Sequence, residues 1–354
     1  MSEKRPVRVW VDGCFDMMHW GHANLCRQAR ELGDVLVAGV HSDADVRLNK
    51  GPPVMNEQER YAAVRACKWV DEVVEAAPYY TDVELCKRHQ IDIIVHGDDV
   101  SVGADGTDTY AAAKAAGMFK TVPRTIGVSS TDLVGRMLLL TKSHHHHDGS
   151  VESRDDEQRI VAMAAPQTCV SNFVPTTRRI VEFSGRKQPS ATDTVIYVDG
   201  AFDMFHIGHI QFLEQARKLG TYIIVGVLGD KDLNDWMGAN HPIMNVHERT
   251  LCVLSCRFVD EVIIGAPMVN EQLIKDYNIS YVVHGTTYEA PIKQHMSQTD
   301  WYHAPKKLGI FKEIPSPSTL TTAELVDRIL SHRSAFLKRQ QAKFARESVI
   351  NAEK

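Results

Sequence analysis

The sequence predicts an α/β chain of two tandem, doubly wound parallel sheets, and three observations carry that prediction. Its 354 residues, 44% of them apolar, suffice for two domains that each bury a core. Short β-branched runs alternate with helical stretches, which is the pattern of βαβ units. The second half also repeats the first: "DGCFDMMHWGH" at 12–22 returns as "DGAFDMFHIGH" at 199–209, identical at eight of eleven positions.

The elements follow in order. "VRVWV", "DVLVAGV", "DEVVEA" and "IDIIVHG" have the continuous apolar character of parallel strands covered on both faces. Between them "HANLCRQARELG" reads as a helix closing on Gly33, and "NEQERYAAVRACKW" as one opening with Asn56 and Glu59, a capping-box start. The repeat keeps this order: "VMNEQER" (54–60) answers "IMNVHER" (243–249), "CKWVDEVVEAAP" (67–78) answers "CRFVDEVIIGAP" (256–267), and "VHG" (95–97) answers "VHG" (283–285). The unit is Rossmann-like, with its ligand expected at the carboxyl ends of the strands near the topological switch. We therefore expect domains at 1–141 and 194–332, a linker at 142–193, and a basic helix or tail at 333–354.

Composition excludes several classes. A net charge of -5 argues against a nucleic-acid binder. No apolar run is long enough for a membrane span, and "MSEKRP" lacks the apolar region of a secretory signal, so a cytoplasmic protein is expected. The seven scattered cysteines contain no CxxC pair and read as reduced thiols. "SHHHHDGSVESRDDEQ" reads as a disordered linker whose histidines, lacking a second shell, make no resident metal site. "NFVPTTRRIVEF" is apolar enough to pack on one domain. The basic C-terminal stretch has no wide apolar stripe, so membrane contact is at most peripheral, at the endoplasmic reticulum.

The sharpest chemical signal is the repeated histidine pair. His19 and His22 lie three residues apart at the start of the helix that follows the first strand, so both rings share one face. Free N–H groups and the positive end of the helix dipole gather there and favour a phosphate. Gly21 leaves the approach open. Two further cations complete such a site. Lys50, in "LNKGPPVMN", is expected in a loop that closes over a triphosphate; alone it is an ordinary surface lysine. "RTIGVSST" (124–131) begins with the guanidinium fork of Arg124, turns at Gly127, and leads through hydroxyl residues into the helix "DLVGRMLLL".

The order HxGH, lysine before glycine, "MNEQER" and "RTxGxSST" resembles the cytidylyltransferases of the nucleotidylyltransferase superfamily, in both halves of the chain. That resemblance implies attack of a phosphomonoester oxygen on the α-phosphorus of CTP, with Mg²⁺ accompanying the nucleotide and pyrophosphate leaving. It assigns His19, His22, Lys50 and Arg124 to the phosphates. Thr125, Gly127, Ser129, Ser130 and Thr131 supply further donors, and the backbone of Cys14 and Phe15 approaches the nucleotide. Asp16 is the carboxylate nearest the metal, with a structural role an equal alternative. Duplication and "VHGDD" (95–99) point to phosphoethanolamine as acceptor and CDP-ethanolamine as product, for phosphatidylethanolamine synthesis; related choline-phosphate enzymes carry one such domain and a long lipid-sensing helix. A primary ammonium donates hydrogen bonds, so it is placed near Asp98 or Asp99 with Tyr79 close by. Phosphocholine remains the competing acceptor, a nucleotide-binding regulator without chemistry the competing class, and a homodimer compatible with either.

The second copy is expected to bind a cytidine nucleotide or nothing, and not to catalyse. Ala201, Phe202, His206 and His209 keep the first motif, while His284, Gly285, Thr286, Thr287, Thr319, Leu320, Thr321 and Thr322 offer donors to one phosphate. The two cations have become Met237 and, on aligning Arg136 with Arg328, Ser316.

Overall fold

The computed structural model describes residues 5–99, 101–125, 127–140, 144, 179–184 and 188–338. These fall into two compact units, divided after Thr131, with the described residues 331–338 belonging to the first. In the first copy the order is β1 (Arg8–Gly13), α1 (Trp20–Arg30), β2 (Val35–Val40), α2 (Asp43–Lys50), α3 (Glu57–Arg65), β3 (Glu72–Glu75), α4 (Val83–Arg88), β4 (Ile93–Gly97), α5 (Ala111–Ala115), β5 (Phe119–Val122) and α6 (Ser130–Leu139). The strands pair in parallel as β3-β2-β1-β4-β5. Strand order reverses between β1 and β4, and there a parallel sheet opens a crevice at its carboxyl edge. Val9, Trp10 and Val11 in β1 and Leu36, Val37 and Ala38 in β2 are buried, as strands covered on both faces must be.

The second copy runs β6 (Val195–Gly200), α7 (Ile207–Arg217), β7 (Tyr222–Val227), α8 (Asp230–Met237), α9 (Val246–Leu254), β8 (Glu261–Ile264), α10 (Glu271–Asp276), β9 (Tyr281–Gly285), α11 (Ala290–Gln298), α12 (His303–Lys307), β10 (Phe311–Ile314) and α13 (Thr322–Ser331). Its sheet order, β10-β9-β6-β7-β8, is the same topology with the same switch, here between β6 and β9.

The expected strands and the Asn56 capping box are present; Asn56 and Glu59 cap each other reciprocally. One element differs from the sequence reading. Residues 43–50 form α2, capped by Ser42 accepting from Asp45 N, so Lys50 ends a helix and does not lie in a loop. With Val46 its only buried residue, α2 shows no apolar stripe to betray it. Most of the expected linker and C-terminal helix, residues 145–178, 185–187 and 339–354, lies outside the described residues. Of the flanking positions that are described, Phe183 is fully buried and His144 is buried with Nε2 2.8 Å from Pro242 O. The described cysteines are buried and form no disulfide with one another. Among the described residues no helix is long and apolar enough to cross a membrane.

Candidate active site

The site begins where β1 ends. Phe15 and Met17 take φ of 51° and 47°, left-handed conformations that cost energy in residues of this size and mark a turn held by its surroundings. The turn delivers His19 to the N-cap of α1. There the two histidines cap the helix mutually: His19 Nδ1 accepts from Gly21 N at 3.1 Å, and His22 Nδ1 accepts from His19 N at 3.4 Å. A neutral ring whose Nδ1 accepts carries its proton on Nε2. Both histidines are thereby set as Nε2–H donors, their rings stacked 3.9 Å apart. Desolvation pushes His22 down to about 3, and the charges of Lys50 and Arg124 push the same way, so it stays neutral near pH 7. Gly21 sits in a tight place, because a Cβ there would stand 3.0 Å from both the His19 ring and Val128 Cγ1.

Lys50 reaches the site from the last turn of α2, its Nζ 5.8 Å from the centroid of the Tyr79 ring. The following loop is held by Asp16, whose Oδ2 accepts from Val54 N and Oδ1 from Met55 N, both at 2.9 Å. Asp16 is therefore committed to backbone, the structural alternative of the sequence reading. The start of α2 is held by Arg60, which is fully buried and donates to Cys14 O at 2.7 Å and Asp43 Oδ1 at 2.9 Å. A single side chain thus joins the end of β1 to the helix that carries Lys50. Sequence reasoning gave Arg60 no role, although the repeated "ER" of "NEQER" and "NVHER" was the available signal.

Arg124 lies two residues beyond β5, half exposed, with Asp98 Oδ1 accepting from its backbone N at 2.9 Å and Asp99 Oδ2 3.2 Å from its Nη1. Both carboxylates expected at the acceptor's ammonium are therefore occupied with Arg124. Beyond it Gly127 turns at φ 96°. The expected hydroxyl donors divide. Ser130 Oγ donates to Asp16 O at 2.7 Å, tying α6 to the histidine turn, and Thr125 Oγ1 accepts from Asn24 Nδ2 at 2.9 Å. Ser129 and Thr131 stand half-buried at the N-terminus of α6. Cys14 and Phe15 are buried, with the Phe15 ring edge-on to His22 at 5.5 Å.

Tyr79 is buried with Cys14 and Val46, 5.0 Å from the ring of His41. His41 was missed by the sequence reading. It follows β2, bonds Ala77 O through Nδ1 at 3.0 Å, and is pushed down mainly by burial, with Lys50 adding to the effect. Asp12 was missed too: it is buried at the switch and accepts from Trp10 Nε1, Thr81 Oγ1 and the Tyr110 hydroxyl.

The second copy rebuilds this scaffold. His206 Nδ1 accepts from Gly208 N and His209 Nδ1 from His206 N, at 3.1 and 3.2 Å. Asp203 accepts from Ile243 N and Met244 N, and Arg249 donates to Ala201 O and Asp230 Oδ1. Phe202 repeats the left-handed φ, at 49°, with its ring 5.3 Å from His209. Met237 ends α8 where Lys50 ends α2. Ser316 stands two residues beyond β10; its N donates to Thr286 Oγ1 as Arg124 N does to Asp98, while its Oγ accepts from Thr287 N. His209 is pushed down to about 3 by burial alone, with no cation contributing. His284 is turned onto Gly285 O, and Leu320 O would stand 3.2 Å from a Cβ on Gly208. Thr319 is exposed, Thr321 Oγ1 accepts from Glu324 N, and Thr322 Oγ1 donates to Asp203 O. At the N-terminus of α13, Glu289 Oε1 accepts from Thr322 N at 2.6 Å, so a side-chain carboxylate already takes a helix N–H that a phosphate would use.

A family profile described as Cytidylyltransferase-like matches residues 10–136 and 197–327. The chain belongs to this cytidylyltransferase family. It is 50% identical to the ethanolamine-phosphate cytidylyltransferase of Dictyostelium discoideum over 350 residues, covering 98% of this chain and 97% of that one. The Mus musculus protein of the same name is 45% identical, covering 98% and 91%. Choline-phosphate cytidylyltransferase A of Homo sapiens is 44% identical over 137 residues only, 38% of this chain. The cytidylyltransferase fold thus accounts for both copies, and the relatives matched along nearly the whole chain bear the ethanolamine-phosphate name.

Proposed function

We propose that this cytidylyltransferase converts CTP and phosphoethanolamine to CDP-ethanolamine and pyrophosphate, a step towards phosphatidylethanolamine. The carrying observation is that the two histidines cap the N-terminus of α1 at the carboxyl end of β1, while Lys50 at the end of α2 and Arg124 just past β5 both lie near enough for their charge to act on His22. Phosphoryl-group displacement needs alignment and charge neutralisation more than covalent help. The neutral Nε2–H groups of His19 and His22 donate to phosphate oxygens as charge moves towards the leaving group. Lys50 and Arg124 neutralise the β- and γ-phosphates. The acceptor oxygen attacks the α-phosphorus from the opposite side, and no side chain is needed as nucleophile.

CTP enters as its Mg²⁺ complex, the ion belonging to the substrate. Asp16 is engaged by two backbone N–H groups, and among the described residues no three His, Cys, Asp or Glu side chains stand together as a cage. Mg²⁺ commonly keeps its waters and phosphate ligands in such sites. We place the protein in the cytoplasm, with at most peripheral contact with the endoplasmic reticulum.

The test is product analysis after incubating the protein with MgCTP and either phosphoethanolamine or phosphocholine. CDP-ethanolamine should form at the higher kcat/KM. A preference for phosphocholine would overturn the acceptor, and absence of either product would overturn the chemistry.

A further inference from the structure

Arg124 is held from a neighbouring strand end. Asp98 and Asp99 follow β4 and Arg124 follows β5, strands paired through Gly97 and Val122. Asp98 Oδ1 accepts the Arg124 backbone N–H at 2.9 Å, and Asp99 Oδ2 stands 3.2 Å from Nη1. Gly97 makes the fold-back possible: a Cβ there would come within 2.7 Å of Asp99 Oδ1.

The second copy separates the two contacts. Ser316 N donates to Thr286 Oγ1 and Thr287 N to Ser316 Oγ, each at 3.0 Å, and Gly285 again leaves the room, since its Cβ would lie 2.5 Å from Ser316 Oγ. The backbone tie at position 98 is thus kept where there is no cation to present, with a hydroxyl serving as well as a carboxylate. The carboxylate at position 99 is present only where the guanidinium is.

We propose that Asp98 and Asp99 are positioning residues for Arg124, the first fixing its backbone and the second its guanidinium, and that they are not the ligands of the acceptor's ammonium. A half-exposed ion pair adds little to stability, so its consequence is orientation. Guanidinium has five N–H donors, and the Asp99 contact through Nη1 leaves others for phosphate oxygens. The same guanidinium is close enough to His22 for its charge to oppose protonation there.

This inference rests on the first copy being the CTP site, and its test separates the two. Asp99→Asn, Asp98→Thr and Asp98→Ala would be compared with wild type in kcat, in KM for each substrate, and in equilibrium binding of CTP without acceptor. Each would be repeated in the Arg124→Ala background. Asp99→Asn should weaken CTP binding and lower kcat/KM for CTP by about five- to tenfold, leave KM for phosphoethanolamine within about twofold, and have almost no further effect once Arg124 is gone. Asp98→Thr should retain most activity and Asp98→Ala should not. A raised KM for phosphoethanolamine with unchanged CTP affinity would overturn the proposal, as would effects of full size in the Arg124→Ala background. Failure of wild type to make CDP-ethanolamine would overturn the acceptor and leave the CTP-binding arm of the test intact.

Discussion

In the first copy Asp16 holds the loop after α2 through Val54 and Met55, and in the second Asp203 holds the loop after α8 through Ile243 and Met244. Arg60 and Arg249 are both fully buried, and each donates to the carbonyl two residues past the strand's aspartate and to the aspartate that starts α2 or α8. Both histidine pairs cap their helices in the same way. What changes is charge: Lys50 against Met237, Arg124 against Ser316, and in the second copy a carboxylate, Glu289, on the N-terminus of α13. Folding this turn and running the reaction are therefore separable demands. The hydrogen bonds that build the histidine turn are kept in both copies, and the cations proposed to stabilise a leaving pyrophosphate are kept in one.

The largest expected effect breaks that comparison most directly. His19→Ala with His22→Ala should lower turnover by about a thousandfold or more, and Lys50→Ala or Arg124→Ala by about a hundredfold, since one lost transition-state donor costs roughly 3 kcal/mol. His206→Ala with His209→Ala should leave turnover near wild type. Substantial activity in the His19, His22 double variant would mean that the second copy catalyses, and the division of labour would fall.

Next comes the scaffold both copies share. Arg60→Met strands the Asp43 carboxylate, and Arg249→Met the Asp230 carboxylate, so each should cost about 3 kcal/mol in urea denaturation. Only Arg60→Met should also lower kcat, because only α2 carries a cation to the site. Equal kinetic damage from both variants would argue against that asymmetry.

The split between shape and charge also explains what the sequence let through. The fold was legible because β1, β2, β4 and their partners are continuous apolar runs, and because the duplication repeated each of them. His19, His22, Lys50 and Arg124 were legible as types of residue in a fixed order. Arg60, His41 and Asp12 were not, because their function lies in which backbone or side-chain atom they meet across the sheet, and spacing along the chain does not encode that. Asp98 and Asp99 were visible as carboxylates but read towards a ligand, since nothing in "HGDD" reveals that Arg124 lies on the adjacent strand end.

A smaller effect concerns acid. His22, His206 and His209 all have their ring pKa lowered by burial, His22 and His209 to about 3. Between pH 6.5 and 3 the unfolded chain binds protons that the folded rings refuse, so this stability is complete above about pH 6.5 and is lost as pH falls. At pH 5 the loss is on the order of 2 kcal/mol for His22 and again for His209. The melting temperature should therefore fall clearly between pH 7.5 and 5, and kcat/KM should show no ionisation of His22 between pH 6 and 8. A melting temperature flat over that range would show that the rings titrate normally and that the turns are open to water.

The smallest effect tests what closes the second copy. Glu289 Oε1 takes the N–H of Thr322 at 2.6 Å and of Ala323 at 3.4 Å, at the positive end of α13. A phosphate arriving at His206 and His209 would meet that carboxylate at the start of α13. Glu289→Gln keeps an oxygen for the two N–H groups, so the helix cap should survive, and removes the charge. With the first site disabled by His19→Ala and His22→Ala, CTP should bind the Glu289→Gln chain about three- to tenfold more tightly, the equivalent of roughly 1 kcal/mol at a helix N-terminus. Unchanged or weaker binding would show that repulsion by Glu289 does not limit the second site. The absence of Lys50 and Arg124 counterparts would then be the reason left for expecting no turnover there.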